Sequence, residues 1–266
     1  MADGALVARR AGACADRIAF LGHATALIQL DGVRLLSDPV LRGRVLHLRR
    51  HTPVPDPSVY TAPDAVLISH LHQDHLDLPS LRLLGTQVPL VVPAGAGSWL
   101  RGRGFSDVRE LRVGEQAQVG ALTVTAVPAR HDGNRLPRGP RAAALGYLVK
   151  GGHSRPRVVY FAGDTELFAG MADFAPSPDV ALLPVAGWGP TLGPGHMDPL
   201  HAARAARLIL PRLAIPIHWG TLRTIGSTRG RQPPLAEQAR LFARHVAELA
   251  PGVEVRVLEP GEETAL

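Results

Sequence analysis

Asp64-Ala65-Val66-Leu67-Ile68-Ser69-His70-Leu71-His72-Gln73-Asp74-His75-Leu76-Asp77 joins a short apolar run to three histidines and an aspartate within six positions. The run from Ala65 to Ile68 reads as a buried β-strand. Divalent zinc takes imidazole nitrogen and carboxylate oxygen at about 2.0–2.2 Å in a tight shell of few ligands. If the strand continues through His72, His70 and His72 point to one side. A turn at Gln73 then offers Asp74 and His75 to a second point nearby.

Three more donors stand at the ends of other strand-like runs. His131 follows Leu122-Thr-Val-Thr-Ala-Val-Pro-Ala, Asp164 follows Val158-Val-Tyr-Phe-Ala-Gly, and His218 follows Ala214-Ile-Pro-Ile. Singly, each reads as a loop residue or a helix cap. Together with the cluster they share one placement, the C-terminal ends of strands, where α/β architectures gather their ligand sites. Seven donors suffice for two metals and one bridging carboxylate.

The flanking chain supports an α/β reading. Residues 17–22, 25–30 and 33–38 are short branched runs, with Asp31-Gly32 between the last two as a hairpin turn. A proline- and arginine-rich loop spans Leu41–Pro63. Further strands are expected at 88–94, 121–129, 144–150, 157–164, 179–185, 213–219 and 253–259. Helices are expected near Gly97–Arg103, over 165–174, over 198–210 with Pro199 in the first turn, and over 234–249. The last of these sets Leu235, Ala239, Phe242 and Val246 on one face. Strands first, then strand–helix alternation, predicts sheets covered by outer helices.

Composition narrows the class. The 266 residues are 45% hydrophobic and 20% charged, ordinary for a globular protein that buries its own core. One cysteine, Cys14, excludes an internal disulfide framework. No apolar run approaches a membrane span, and the start of the chain lacks a secretory h-region, so a cytoplasmic location is expected. Lys150 is the single lysine among 29 basic residues, and the formal charge is +6. Without a basic run interleaved with aromatics, no nucleic-acid partner is expected. No feature selects an oligomeric state.

The chain resembles the metallo-β-lactamase superfamily. More narrowly, it looks like the branch holding the N-acyl-phosphatidylethanolamine phospholipase D-type hydrolases and the ascorbate-6-phosphate lactonase-like proteins. The carrying segments are GHATALI from Gly22, SDPV from Ser37, the stretch from Asp64 to Asp77, FAGDT from Phe161, GHMDPLHAARAA from Gly195 and IPIHWGT from Ile215. They span about residues 18–222. The resemblance implies an α/β fold, a four-layer αββα sandwich of two mixed β-sheets flanked by helices. It implies one such domain over 18–266 after an N-terminal extension, 1–17.

The same resemblance implies a dinuclear site. His70, His72 and His131 would hold one divalent ion and Asp74, His75 and His218 the other, with Asp164 bridging. Zn²⁺ is the expected metal, with Mn²⁺ or Fe²⁺ also suited to such ligands. A bridging hydroxide would attack, and the site would keep about one positive charge, suited to an anionic ester. Asp74 is expected to accept the nucleophile's proton as well. His196 is the candidate acid or substrate contact, and His23 is expected to sit behind the ligands and orient Asp74 or a metal-bound histidine. Arg49 and Arg50, in a loop that also carries Arg42 and Arg44, are expected to hold the substrate's anionic group as part of a lid. Trp188 is expected to offer an apolar wall. His47, His51, His153, His201 and His245 are assigned no chemistry.

The expectation for function is therefore hydrolysis of a small soluble anionic ester, foremost a phosphodiester. A lactone is the alternative. A ribonuclease and a non-catalytic metal-dependent binding protein carry less weight.

Overall fold

Alternation of apolar and small residues along short branched runs builds two sheets. The structure, a computed structural model, describes residues 15–135, 137, 139–151, 156–174, 177–187, 192–226 and 236–266. Residues 1–14 of the expected extension, with Cys14, lie outside these residues, as do His153, Trp188 and Leu235. Strands β1 (Arg17–Gly22), β2 (Thr25–Leu30) and β3 (Val33–Ser37) form an antiparallel meander. Asp31 and Gly32 turn between β2 and β3 with φ of 50° and 76°, the double positive φ that a tight hairpin favours. β1 thus begins at Arg17, the last residue of the expected extension.

Next come β4 (Arg44–Val45), β5 (Leu48–Arg50), α1 (Pro57–Tyr60), β6 (Ala65–Leu67), α2 (Leu78–Leu84), β7 (Leu90–Pro93), α3 (Gly97–Arg101) and β8 (Val108–Leu111). The Asp77 carboxylate caps α2 by accepting from the Ser80 N–H. The second half runs β9 (Gln116–Val119), β10 (Leu122–Pro128), β11 (Leu145–Gly151), β12 (Arg157–Phe161), a 3₁₀ turn (Ala169–Asp173), β13 (Val180–Pro184), α4 (Pro199–Ile209), β14 (Leu213–Ile217), β15 (Leu222–Thr224), α5 (Glu237–Leu249), β16 (Glu254–Val255) and β17 (Glu263–Ala265).

One sheet has the order β17-β1-β2-β3-β6-β7-β8, the other β16-β14-β13-β12-β11-β10-β9. Each joins antiparallel strands to a parallel set, so both are mixed. The alternation on each strand separates the layers. Ile28, Leu35 and Leu67 share a core with Val124, Tyr147 and Phe161 of the facing sheet. Their neighbours Leu27, Leu36 and Val66 turn outward, onto Leu81 of α2 and Leu100 of α3. Ala202 and Ala206 of α4 and Phe242 and Val246 of α5 belong to the same core as the second sheet. The result is the four-layer αββα sandwich. Phe242 is fully buried, so Phe242→Ala should cost about 3–5 kcal/mol, read from urea unfolding.

Several local expectations change. The strand before the histidines stops at Leu67, so His70 and His72 lie in a loop. Residues 165–168 are not helical, and only the 3₁₀ turn forms there. The C-terminal strand shrinks to Glu254–Val255. The arginine-rich loop holds β4 and β5, which join β15 in a third sheet of order β15-β5-β4. Leu222 pairs with Arg50 and Thr224 with Leu48, a pairing across the whole chain that local pattern does not encode.

Candidate metal centre

Each donor is delivered just past the end of a strand, where the ladder no longer consumes the backbone. After β6, a tight turn in which His75 and Leu76 donate to the His72 carbonyl folds the segment back on itself. Gly163, at φ 60°, brings the loop after β12 so close to Ser69 that a Cβ would lie 2.4 Å from the Ser69 Cβ. His218 follows β14 at φ 63°, and its N–H donates to the carbonyl of His23, itself at φ 57°. The His23 N–H donates to Thr221 Oγ1 at 2.7 Å. The turns after β1 and β14 are thereby interlocked.

Two groups of donors result. His70, His72 and His131 converge, with their ligand atoms within 4.8 Å of one another, and so do His23, Asp74, His75 and His218. In the first group, His131 Nδ1 donates to the Gly195 carbonyl at 2.9 Å, leaving Nε2 as a bare acceptor 3.1 Å from His72 Nδ1. His70 Nε2 is buried and has no hydrogen-bond partner. In the second group, His75 Nδ1 donates to Asp38 at 2.7 Å and His218 Nδ1 to the Ala186 carbonyl at 2.6 Å. The two Nε2 atoms then face each other across 3.3 Å.

Asp164 lies between the groups. Its Oδ2 is 3.2 Å from His75 Nε2, 3.3 Å from His218 Nε2 and 3.4 Å from His196 Nε2. Its Oδ1 is buried without a partner.

This donor set fits a cation. One positive charge belongs between two such nitrogens, and either a proton on His75 Nε2 or a shared metal ion supplies it. Nitrogens about 2.05 Å from one tetrahedral ion sit about 3.3 Å apart, which is the His75–His218 spacing. Burial, then His75, holds the His70 imidazole well below its usual pKa, and burial holds His131 down to about 4. Both are thus in the neutral form that ligates. Burial opposes ionising Asp164, but His218 and His75 outweigh it and keep the carboxyl well below the usual range. Burial likewise opposes charging His75, and Asp164 and then Asp74 outweigh it, so positive charge is favoured beside the two carboxylates.

Asp38 was not singled out from sequence, although SDPV was noted. It is fully buried, at φ 33°. Besides His75, it accepts from the Ser69 N–H at 2.7 Å and from Ser69 Oγ at 2.5 Å. With its proton so used, Ser69 Oγ accepts from His70 Nδ1 at 3.0 Å. One carboxylate therefore sets the tautomer of a histidine in each group. Asp38→Asn should weaken metal binding about 10–100-fold, measured by competition with a chelating dye. Unchanged affinity would assign Asp38 to folding alone.

His23 Nε2 is 3.1 Å from Asp74 Oδ2. Burial, then His218, holds its pKa down to about 3, so the neutral ring donates to Asp74. His196 reaches Asp164 through Nε2, and its Nδ1 donates to the carbonyls of Gly193 and Pro194, each at 3.1 Å. Burial opposes its charge, and the Asp164 hydrogen bond outweighs burial, raising its pKa. Asp74, Asp164 and His196 border a pocket of about 280 Å³ whose other wall is the β4–β5 hairpin.

The arginine expectations need correction. Arg50 is buried and donates to the carbonyls of Leu21, Val40 and Pro53 and to Thr52 Oγ1. Burial lowers its pKa to about 10. It ties the hairpin to β1 instead of reaching substrate. Arg49 is exposed on the face of β5 opposite Leu48 and Arg50, and it does not line the pocket. Arg42 is held by Asp77 at 2.7 and 2.8 Å. Arg44 Nε donates to the Leu46 carbonyl at 2.7 Å. His47, assigned no chemistry from sequence, does line the pocket. The expected apolar wall at Trp188 falls outside the described residues.

Residues 33–219 match the Beta-lactamase superfamily domain. A metal-dependent hydrolase of Methanopyrus kandleri is 36% identical over 251 residues, covering 92% of this chain and 98% of the relative. N-acyl-phosphatidylethanolamine-hydrolyzing phospholipase D 1 of Caenorhabditis elegans is 30% identical over 228 residues. That match covers 76% of this chain and 63% of the worm protein. Among solved structures, a metallo hydrolase from the archaeon Ignicoccus hospitalis has a TM-score of 0.73 and 26% identity. It is matched over 95% of this chain and 99% of its own.

Proposed function

The chain belongs to the β-lactamase superfamily as a metal-dependent hydrolase, and on that premise we propose that it uses two divalent ions, foremost zinc, to cleave a small phosphodiester. The observation that carries the reading is the set of bare donors around Asp164. In this reading His70, His72 and His131 hold one ion and Asp74, His75 and His218 the other, with Asp164 shared. So held, the pair supplies an acidified water and a Lewis acid for the attacked oxygen.

The protein's own groups do the rest. Asp38 and the Ala186 carbonyl keep His75 and His218 turned inward through Nε2. His23 restrains one oxygen of Asp74, and Asp74, at the pocket wall, receives the nucleophile's proton. His196 stands at the mouth, its Nδ1–H held by the Gly193 and Pro194 carbonyls, and the second proton that its raised pKa favours sits on Nε2, from which it passes to the leaving oxygen. His196→Ala should lower turnover about 10²–10⁴-fold with metal content unchanged by plasma mass spectrometry. Loss of metal would make His196 a ligand instead.

A pocket of about 280 Å³ supports a compact substrate over the phospholipid in the worm relative's name. Among the described residues, no helix is long and apolar enough to cross a membrane. The test is hydrolysis of bis(4-nitrophenyl) phosphate by zinc- and manganese-loaded protein, with Asp164→Ala as control. Turnover lost in the variant supports the reading. Absence of turnover in fully loaded protein, with lactones cleaved instead, replaces the phosphodiester by a lactone.

A further inference from the structure

The metal centre accounts for one side of the pocket and leaves the other without a role. That far wall is Val45, Leu46, His47 and Leu48 of the β4–β5 hairpin. Val45 pairs with Leu48, so Leu46 and His47 form a two-residue loop. Leu46 stands at φ 50° and is 50% exposed. Glycine or asparagine ordinarily takes such a left-handed seat. A leucine held there and left open contributes little to folding, and backbone outliers of this kind cluster where a ligand is clamped.

The wall is mostly apolar. Val45, Leu46 and Leu48 are apolar, His47 is its polar member, and no arginine or lysine lines the pocket among the described residues. Arg44 of the hairpin is turned onto the Leu46 carbonyl. A charged substituent pressed there would lose water without gaining a counter-charge. The volume lies just below the usual range of ligand sites, about 300–1,000 Å³, so the site is a compact one.

We infer that the Val45–Leu48 hairpin is the specificity element of this site, and that it takes an uncharged, compact alkyl or aryl substituent on the ester. The inference rests on the hydrolase reading above and refines its substrate class. The metal-facing side engages the single charge of the reacting group, while the hairpin shields the group's apolar arm from water.

The test compares methyl, butyl and 3-carboxypropyl 4-nitrophenyl phosphate as substrates of the full-length, zinc-loaded protein. The butyl diester should exceed both others in kcat/KM by about tenfold. Leu46→Asn keeps a residue suited to the left-handed turn and removes the apolar surface. It should lower the butyl-to-methyl ratio about five- to tenfold. Calorimetric binding of butylphosphonate against methylphosphonate should give the same order without turnover. Turnover with a flat series, or a ratio unchanged in Leu46→Asn, overturns the hairpin inference and leaves the hydrolase reading standing. No turnover of any diester, with the phosphonate preference intact, overturns the phosphodiester reading and keeps the hairpin's role.

Discussion

Asp164→Ala is expected to lower turnover by about 10³-fold or more, a loss of at least about 4 kcal/mol of transition-state stabilisation. The expectation follows from where the carboxylate sits. Its Oδ2 lies within 3.4 Å of three imidazole nitrogens, from His75, His218 and His196. Its Oδ1 is buried without a partner. Asp164 also clusters with His131 of the other donor group and with His196 at the pocket mouth. Alanine removes the shared ligand and one negative charge from a buried site, so metal content should fall together with activity. Asp164→Asn separates charge from shape, because its amide keeps the volume and can donate to the neighbouring imidazole nitrogens but loses the negative charge that a metal ion needs. Both variants would be assayed for kinetics, for metal by mass spectrometry and for fold by circular dichroism. Activity within tenfold of the parent in a folded Asp164→Ala protein would sink the bridging assignment.

The second large effect is on stability. Metal removal should lower Tm by roughly 8–16 °C, because binding at about 1,000 times Kd adds about 4 kcal/mol and each kcal/mol moves Tm by about 2–4 °C at this size. The physical cause is again the donor set. Without a cation, His70 Nε2 stays desolvated and unpaired, His75 carries a buried charge in the metal's place, and Asp164 buries charge as well. The unfolded chain hydrates all of these groups. Scanning calorimetry with chelator and with added zinc reads the shift, and His70→Ala should shrink it. Equal melting of the stripped and loaded protein, with metal uptake confirmed, would mean that the site gains nothing from an ion.

Much of the site was legible because its chemistry is local. His70, His72, Asp74 and His75 are neighbours in sequence, and any fold that keeps the segment together keeps them within reach of one another. His131, Asp164 and His218 were legible for a related reason, since each follows an apolar run that is buried as a strand wherever it is placed. The meander 17–37 was equally plain, because period-two patterning and an Asp-Gly turn specify a hairpin without outside help. The 3₁₀ turn near Met171 was misread as helix. Phe168, Met171 and Phe174 recur every three residues as on a helix face, yet all three serve the core beneath the second sheet.

The arginines mark the limit. Arg49 and Arg50 are adjacent and identical in composition, yet one faces solvent and the other is buried and donates to four acceptors of the protein. Their directions follow from the pairing of β5 with β15. Asp38 is likewise one aspartate before a proline until the turn after β6 brings Ser69 and His75 onto it. His47 gained a place on the pocket wall in the same way.

The sequence by itself determined the class of fold, the apolar strands and the ligand-bearing segments, since these depend on residue type and spacing over a few positions. Only the tertiary structure decided which nitrogen each histidine presents, which arginines are consumed internally, and what the pocket wall opposite the metal centre is made of. Those outcomes depend on side-chain direction and on contacts between residues far apart in the chain, and one residue's shift in strand register would reverse them.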